Sequence, residues 1–146
     1  CDVNPDDYQA PRLLAMTLTS LGRHEEARSV DLRGLQVVER HIQLHPDDAR
    51  ALLFGATQNL QAGNRDKSLD WVARALAIAP DDPVTFYNAA CNYSLSGETE
   101  RAIDCLEKAI TSGMAQKDWI AHDSDLDPLR QHPRFLVLMR RIGLDV

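Results

Sequence analysis

The sequence predicts an all-α domain built as a short solenoid of helix–turn–helix units, and three observations carry that expectation. Gly22, Gly63 and Gly97 each close a helix-like stretch and precede another. Gly63 and Gly97 stand 34 residues apart; Gly22 and Gly63 stand 41 apart, seven more than that period. A self-similar period of 34 marks units that bury their apolar faces only by stacking on a neighbour. Asn4-Pro5-Asp6-Asp7, His45-Pro46-Asp47-Asp48 and Ala79-Pro80-Asp81-Asp82 are three copies of one stop–start signal. Proline ends a helix, and the aspartates cap the next and favour its positive end. Alanine and leucine dominate, aromatic residues make up only 5%, and the alternating Val/Ile/Thr runs of strands are missing.

At 146 residues, 44% hydrophobic and 26% charged, the chain suits a single domain over 1–146 that folds without disulfides or metal. The formal net charge of -6 argues against a sequence-independent grip on nucleic-acid phosphates. Uncharged stretches are too short to span a bilayer, so no membrane partner is expected. Cys1, Cys91 and Cys105 are odd in number and lack metal spacing, which points to a reducing cytoplasm. Cys1 leaves a second reading open, a lipid-modified mature N-terminus.

Helices are expected at roughly 8–21, 24–44, 48–61, 65–78, 82–95 and 99–111. Relative to the three glycines, small residues recur at matching places: Ala15, Ala56 and Ala90 before them, then Ala27, Ser68 and Ala102, then Gly34, Ala75 and Ala109. Small side chains are needed wherever two helices approach closely. Larger residues such as Leu52, Phe86, Tyr93, Val72 and Leu106 fill the spaces between. The seven extra residues fall between Gly34 and Pro46. Seven residues are two helical turns, so the stripe of Val30, Val37, Val38 and Ile42 stays in phase and the second helix is expected to be about 10 Å longer than its counterparts. The extra turns are either a tolerated insertion or a ridge that contacts another domain or subunit.

These residues closely resemble the tetratricopeptide repeat, whose pattern runs through an aromatic, small residues, tyrosine, a turn glycine, alanine, an aliphatic, alanine and proline. The third unit matches best, at Phe86, Ala89, Ala90, Tyr93, Gly97, Ala102, Leu106 and Ala109. The second matches at Leu52, Ala56, Gly63, Val72, Ala75 and Pro80, with Asn59 and Ser68 as departures. The first is weakest, with Pro11 and Asp31 at usually apolar slots. The resemblance implies a right-handed α-α superhelix of three repeats, about 6–45, 46–79 and 80–113, with C-terminal capping helices over 114–146.

In that tail, Asp118-Trp119-Ile120 opens a short helix and Asp125 to Arg130 forms a turn. Phe135, Leu138, Met139 and Ile142 then make the apolar stripe of a last helix that covers the solenoid's end. The string from Asp125 to Phe135 resembles the ending of tetratricopeptide arrays in bacterial multidomain signalling proteins, including some serine/threonine kinases and adenylate cyclases. The boundary signal at Asn4-Pro5-Asp6-Asp7 precedes any helix, so further sequence, with additional repeats, is expected upstream of Cys1.

Candidate chemistry is sparse. His41 and His45 are spaced for one metal, but no third ligand or H-E-x-x-H is evident. Asp123, Asp125 and Asp127 begin like a calcium loop that fails at Pro128 and Arg134; helix capping is the expected role. Cys91 has no histidine at a useful register and reads as a partly buried thiol. The expectation is therefore no catalytic residues, no metal and no cofactor.

Binding is what the resemblance implies. First helices of successive repeats line a concave groove that accepts an extended peptide or a helix of a partner protein. By offset from each glycine, the groove residues are Arg12 and Met16 from the first unit, Arg50, Leu53, Phe54 and Thr57 from the second, and Tyr87, Asn88 and Cys91 from the third. Leu13, Thr19, Leu60 and Ser94 face the groove by the same offsets, and Gln9 and Val84, like Arg50, lie one residue further out on this face. The family's carboxylate clamp for heat-shock chaperone termini is not expected. Arg12 and Asn88 suit it, but Met16, Phe54 and Val84 occupy places that need polar or basic groups. Leu53, Phe54, Tyr87 and Met16 serve either an apolar groove or the packing between repeats. Two alternatives to a partner-binding scaffold stand beside it: a regulatory or structural tail on an upstream catalytic or DNA-binding domain, and a self-assembly module forming a homodimer.

Overall fold

The computed structural model describes residues 8–114 and 116–144. Six α-helices form three consecutive pairs: α1 (Ala10–Ser20) with α2 (His24–Leu44), α3 (Ala49–Gln61) with α4 (Arg65–Ile78), and α5 (Pro83–Leu95) with α6 (Thr99–Thr111). A tail of α7 (Lys117–His122), a 3-10 segment (Ser124–Leu129) and α8 (Pro133–Arg141) follows. No strand occurs among the described residues. The chain is an α-α superhelix of helix–turn–helix units, and its helix limits lie within two residues of the expected ones. The boundary signal at residues 4–7 lies outside the described residues.

The turn glycines act through backbone conformation. Gly22, Gly63 and Gly97 have φ of 75°, 87° and 80°, the left-handed region that favours glycine. Each allows the following N–H to reach back to the helix it closes: Arg23 N–H to Leu18 O at 2.9 Å, Asn64 to Asn59 at 2.8 Å, and Glu98 to Tyr93 at 2.9 Å. This is the Schellman closure, and its repetition gives all three units the same turn. At the opposite ends, the second aspartate of each described boundary signal is the cap. Asp48 accepts from Ala51 N–H at 3.0 Å, and Asp82 accepts from Thr85 N–H at 3.1 Å. The Thr85 hydroxyl also donates to Asp82 and, with those backbone bonds, holds its carboxyl below the ordinary value.

The long second helix is a single helix of 21 residues, against 14 for α4 and 13 for α6. Its added turns, between Gly34 and Pro46, bury Val38 and Ile42 against the core and leave Gln36, Arg40, Gln43 and Leu44 exposed. The two misfits of the first unit also find partners. Pro11 falls in the first turn of α1, where its missing N–H costs nothing, and lies over Gly34. Asp31 pairs with Arg12 at 3.5 Å.

The tail keeps the repeat's phase. First helices begin at 49, 83 and 117, and second helices at 65, 99 and 133, each 34 residues after the last. The cap is thus a fourth, degenerate unit whose first helix is split at Asp123, where the backbone turns extended (ψ 112°). Arg130 holds the split together, donating to Asp127 at 2.8 Å and to the Asp123 carbonyl at 2.9 Å. Leu126, Leu129, Phe135 and Met139 are fully buried beneath it.

The tightest helix contact is Gly55 of α3 against the Trp71 ring of α4. A Cβ built on Gly55 would lie 2.3 Å from Trp71 Cζ3 and 3.3 Å from Val38 Cγ1. Gly55→Ala is therefore expected to destabilise the fold by about 1–3 kcal/mol, since the indole is buried and cannot simply swing out. Urea denaturation of the two proteins measures this, with the Trp71 fluorescence expected to shift.

Candidate concave groove

The first helices of units two and three, with the tail laid beside them, enclose an open cavity of about 360 Å³. α3 contributes Arg50, Leu53, Phe54 and Thr57 at helical spacing, and α5 contributes Tyr87, Asn88 and Cys91. Seven of the nine named candidates thus share one surface, whereas Leu13, Thr19, Leu60 and Ser94, placed by the same offsets, do not line it. Tyr8 and Gln9 border it from the start of the described chain, and Asp123 and Asp125 enter from the tail. Tyr8 meets the edge of the Phe54 ring at 5.2 Å, giving the groove an aromatic wall. Arg12 and Met16 do not line the cavity. Arg12 is engaged with Asp31 of α2, although its charge is felt at Asp125. Met16 stands 53% exposed on α1.

The α5 residues divide between groove and packing. Asn88 is exposed, whereas Tyr87 and Cys91 are buried where the tail's 3-10 segment packs on α5. The Tyr87 hydroxyl donates to Asp123 Oδ2 at 2.6 Å, and the Cys91 thiol reaches the same oxygen at 3.6 Å. Asp123 Oδ1 accepts from Asp125 N–H at 3.0 Å and so caps the 3-10 segment, the capping role expected of these aspartates. One carboxylate therefore starts the tail's second helical piece and pins it to the groove wall. Thr57 is shared in a similar way: its hydroxyl accepts from Asn92 Nδ2 at 3.3 Å, within the contact between units.

The electrostatics disfavour cysteine chemistry. Burial, followed by the charges of Asp123 and Asp125, pushes the Cys91 thiol far above its ordinary value. Burial and the bond to Asp123 do the same for the Tyr87 phenol. Cys91, Asp123 and Asp125 place potential ligand atoms within 4.8 Å of one another, yet a soft metal would need a thiolate that this environment opposes. Asp125 is itself raised, by desolvation and then by Asp123. It is the groove's strained charge. His41 is committed elsewhere: its Nε2 lies 2.8 Å from Asp48 Oδ2 and its ring stands beside Tyr8 and His45. Burial opposes ionisation of Asp48, but the Ala51 N–H and His41 together hold its carboxyl below the ordinary value.

Sequence reasoning missed Asp123 and Asp125 as groove residues. The available signal was the 34-residue phase: carried past Pro83, it places a further first helix at Lys117, beside α5.

Residues 84–112, which form most of α5 and all of α6, match the family model described as Tetratricopeptide repeat. Over that stretch the chain is similar to a tetratricopeptide repeat. The matched stretch is the unit with the fullest set of pattern residues, and the two helix pairs before it repeat its turn geometry. Repeats of this type serve generally as protein–protein interaction modules. Among the described residues no helix is long and apolar enough to cross a membrane.

The Tyr87–Asp123 bond is the tail's direct hold on the groove. Tyr87→Phe is expected to cost about 1.5–3 kcal/mol, the range for a hydrogen bond to a charged group. Hydrogen exchange should quicken in α7 and the 3-10 segment while α3 and α4 keep their protection.

Proposed function

We propose that this protein is a non-catalytic cytoplasmic adaptor that holds a peptide or helical segment of a partner protein in the concave groove. The observation that supports this reading is the convergence of Arg50, Leu53, Phe54, Thr57 and Asn88 on one open cavity with an aromatic wall. The buried thiols of Cys91 and Cys105 suit a reducing compartment. The groove's chemistry favours a partner segment with an apolar side chain for Phe54, since Leu53 is buried in the core beneath it. A basic group is favoured near Asp125, whose desolvated carboxylate gains most from a cation.

A second reading rests on a different observation. Leu13, Leu14, Met16 and Leu21 are each more than half exposed on or just after α1, a run of aliphatic surface suited to another domain or to a second copy of the chain. Light scattering over a range of concentrations separates self-assembly from the other uses: a mass that stays at 16.3 kDa counts against a homodimer.

For the groove, a partner recovered by pull-down is titrated against Phe54→Glu and Asp125→Asn variants that remain folded by circular dichroism. Phe54→Glu is expected to weaken binding at least about tenfold, as for a central anchor residue. Asp125→Asn is expected to weaken it less and to flatten its salt dependence. Unchanged affinity in both variants removes the groove from consideration.

A further inference from the structure

We propose that the concave groove takes a dipolar peptide segment, which sets a basic group at Asp125, an acidic group at Arg50 and an apolar side chain against Phe54. The proposal rests on the groove reading above and adds an anionic contact to it, so that the charge of the partner is specified at two places.

Unpaired charges of both signs line the cavity. Arg50 is the one cation among its described lining residues, and Asp123 and Asp125 are the acids. Neither the Arg50 guanidinium nor the Asp125 carboxylate makes a hydrogen bond or an ion pair among the described residues. Charges that meet elsewhere in the molecule are paired: Arg65 with Glu98 at 2.9 Å, Arg130 with Asp127 at 2.8 Å, and Arg134 with Asp104 at 2.6 Å. Asp123 is already engaged, accepting from the Tyr87 hydroxyl and from Asp125 N–H. Arg12, whose charge is felt at Asp125, is paired with Asp31 at 3.5 Å. The two groups left for a partner are therefore one carboxylate and one guanidinium.

The two contacts differ in strength. Asp125 is half-buried, and burial followed by Asp123 disfavours its charged form, so a cation there relieves a cost already present. Arg50 is exposed and keeps its hydration, so an anion there gains less. The fold also sets the length of the ligand. α5 packs against both α3, which carries Arg50, and the 3-10 segment, which carries Asp125. Neighbouring helices lie about 8–10 Å apart, so a segment of several residues is needed to meet both charges. In an extended segment alternate side chains share a face, and charges four residues apart stand about 13 Å from each other with one residue midway on the same face. That middle residue is the apolar one, placed for the Phe54 ring.

The probes are N-acetyl-Lys-Ala-Leu-Ala-Glu-amide and the reversed peptide Glu-Ala-Leu-Ala-Lys, which cover both chain directions. Each is titrated into isotopically labelled protein and followed by two-dimensional NMR. The tighter of the two is expected to shift Phe54, Thr57 and Asn88 signals saturably, with a Kd on the order of 1 mM for so short a peptide. Replacing its lysine by norleucine should weaken binding about fivefold, and replacing its glutamate by glutamine about twofold to threefold. The protein variants complete the cycles, and neither disturbs a bond of the free protein. In Asp125→Asn the lysine replacement should have no further effect, and in Arg50→Gln the glutamate replacement should have none. Saturable groove shifts with coupling at Asp125 alone, or at neither residue, overturn the dipolar ligand and leave the groove itself standing. Absence of any saturable shift at the groove residues overturns both.

Discussion

The close approach of consecutive helices at small side chains is the constraint on which the rest of this structure depends. Ala56, Ser68, Ala75, Ala90, Ala102 and Ala109 are all fully excluded from solvent, and each stands where a larger group would force two axes apart. Gly55 is the extreme case, with no room even for a methyl group beside Trp71. Because the approach is fixed at the same offset in successive units, each first helix is set beside the last at a constant displacement. That displacement brings Phe54 and Asn88 onto one face. The groove is a consequence of interior packing and needs no separate specification.

Much of this was legible because it is local or periodic. Turn glycines, capping aspartates and the small-residue columns are each set within a few residues of sequence, so helix limits and the two extra turns of α2 could be read directly. Offset arithmetic also collected the groove residues of units two and three, which are 34 residues apart. Across the 41-residue step it placed Arg12 and Met16 in the same set, and neither lines the cavity. The longer α2 breaks the register there, and Asp31 gives Arg12 a nearer partner. What sequence could not show is which side chains meet from different units. The bonds of Asp123 to Tyr87 and Cys91 span 36 and 32 residues, and Asp123 was not among the residues collected by repeat offset. The tail's phase was present in the numbering but disguised, since Gln131 stands where the turn glycine would fall.

One departure from the repeat pattern, Ser68, has a direct physical account. Ser68 replaces the usual alanine, and its hydroxyl donates to Asn92 Oδ1; Asn92 in turn donates to Thr57, and Ser96 donates to the Asn92 carbonyl. The result is a buried polar seam joining α3, α4 and α5. A seam of this kind penalises any slippage between units, because sliding one helix by a turn would strand several buried donors and acceptors at once. Apolar columns alone tolerate such shifts more readily. Units two and three are thereby held in one register, which matters because the groove wall crosses their junction.

The tail extends the same logic to function. In covering the end of the solenoid it also places Asp123 against Tyr87 and Cys91, removing two of the offset-selected residues from contact with a partner and leaving Asn88 exposed between them. A segment lying in the groove would thus meet α3 more fully than α5. It would meet acidic groups where α5 alone would have offered a phenol and a thiol. The cap does more than seal apolar surface: it shortens the groove and sets its charge. Burial and then the neighbouring Asp123 disfavour the charged form of Asp125, and that cost is present before any partner arrives. A cation that neutralises it recovers that cost on binding, so the strain built into the cap favours a basic segment over a neutral one.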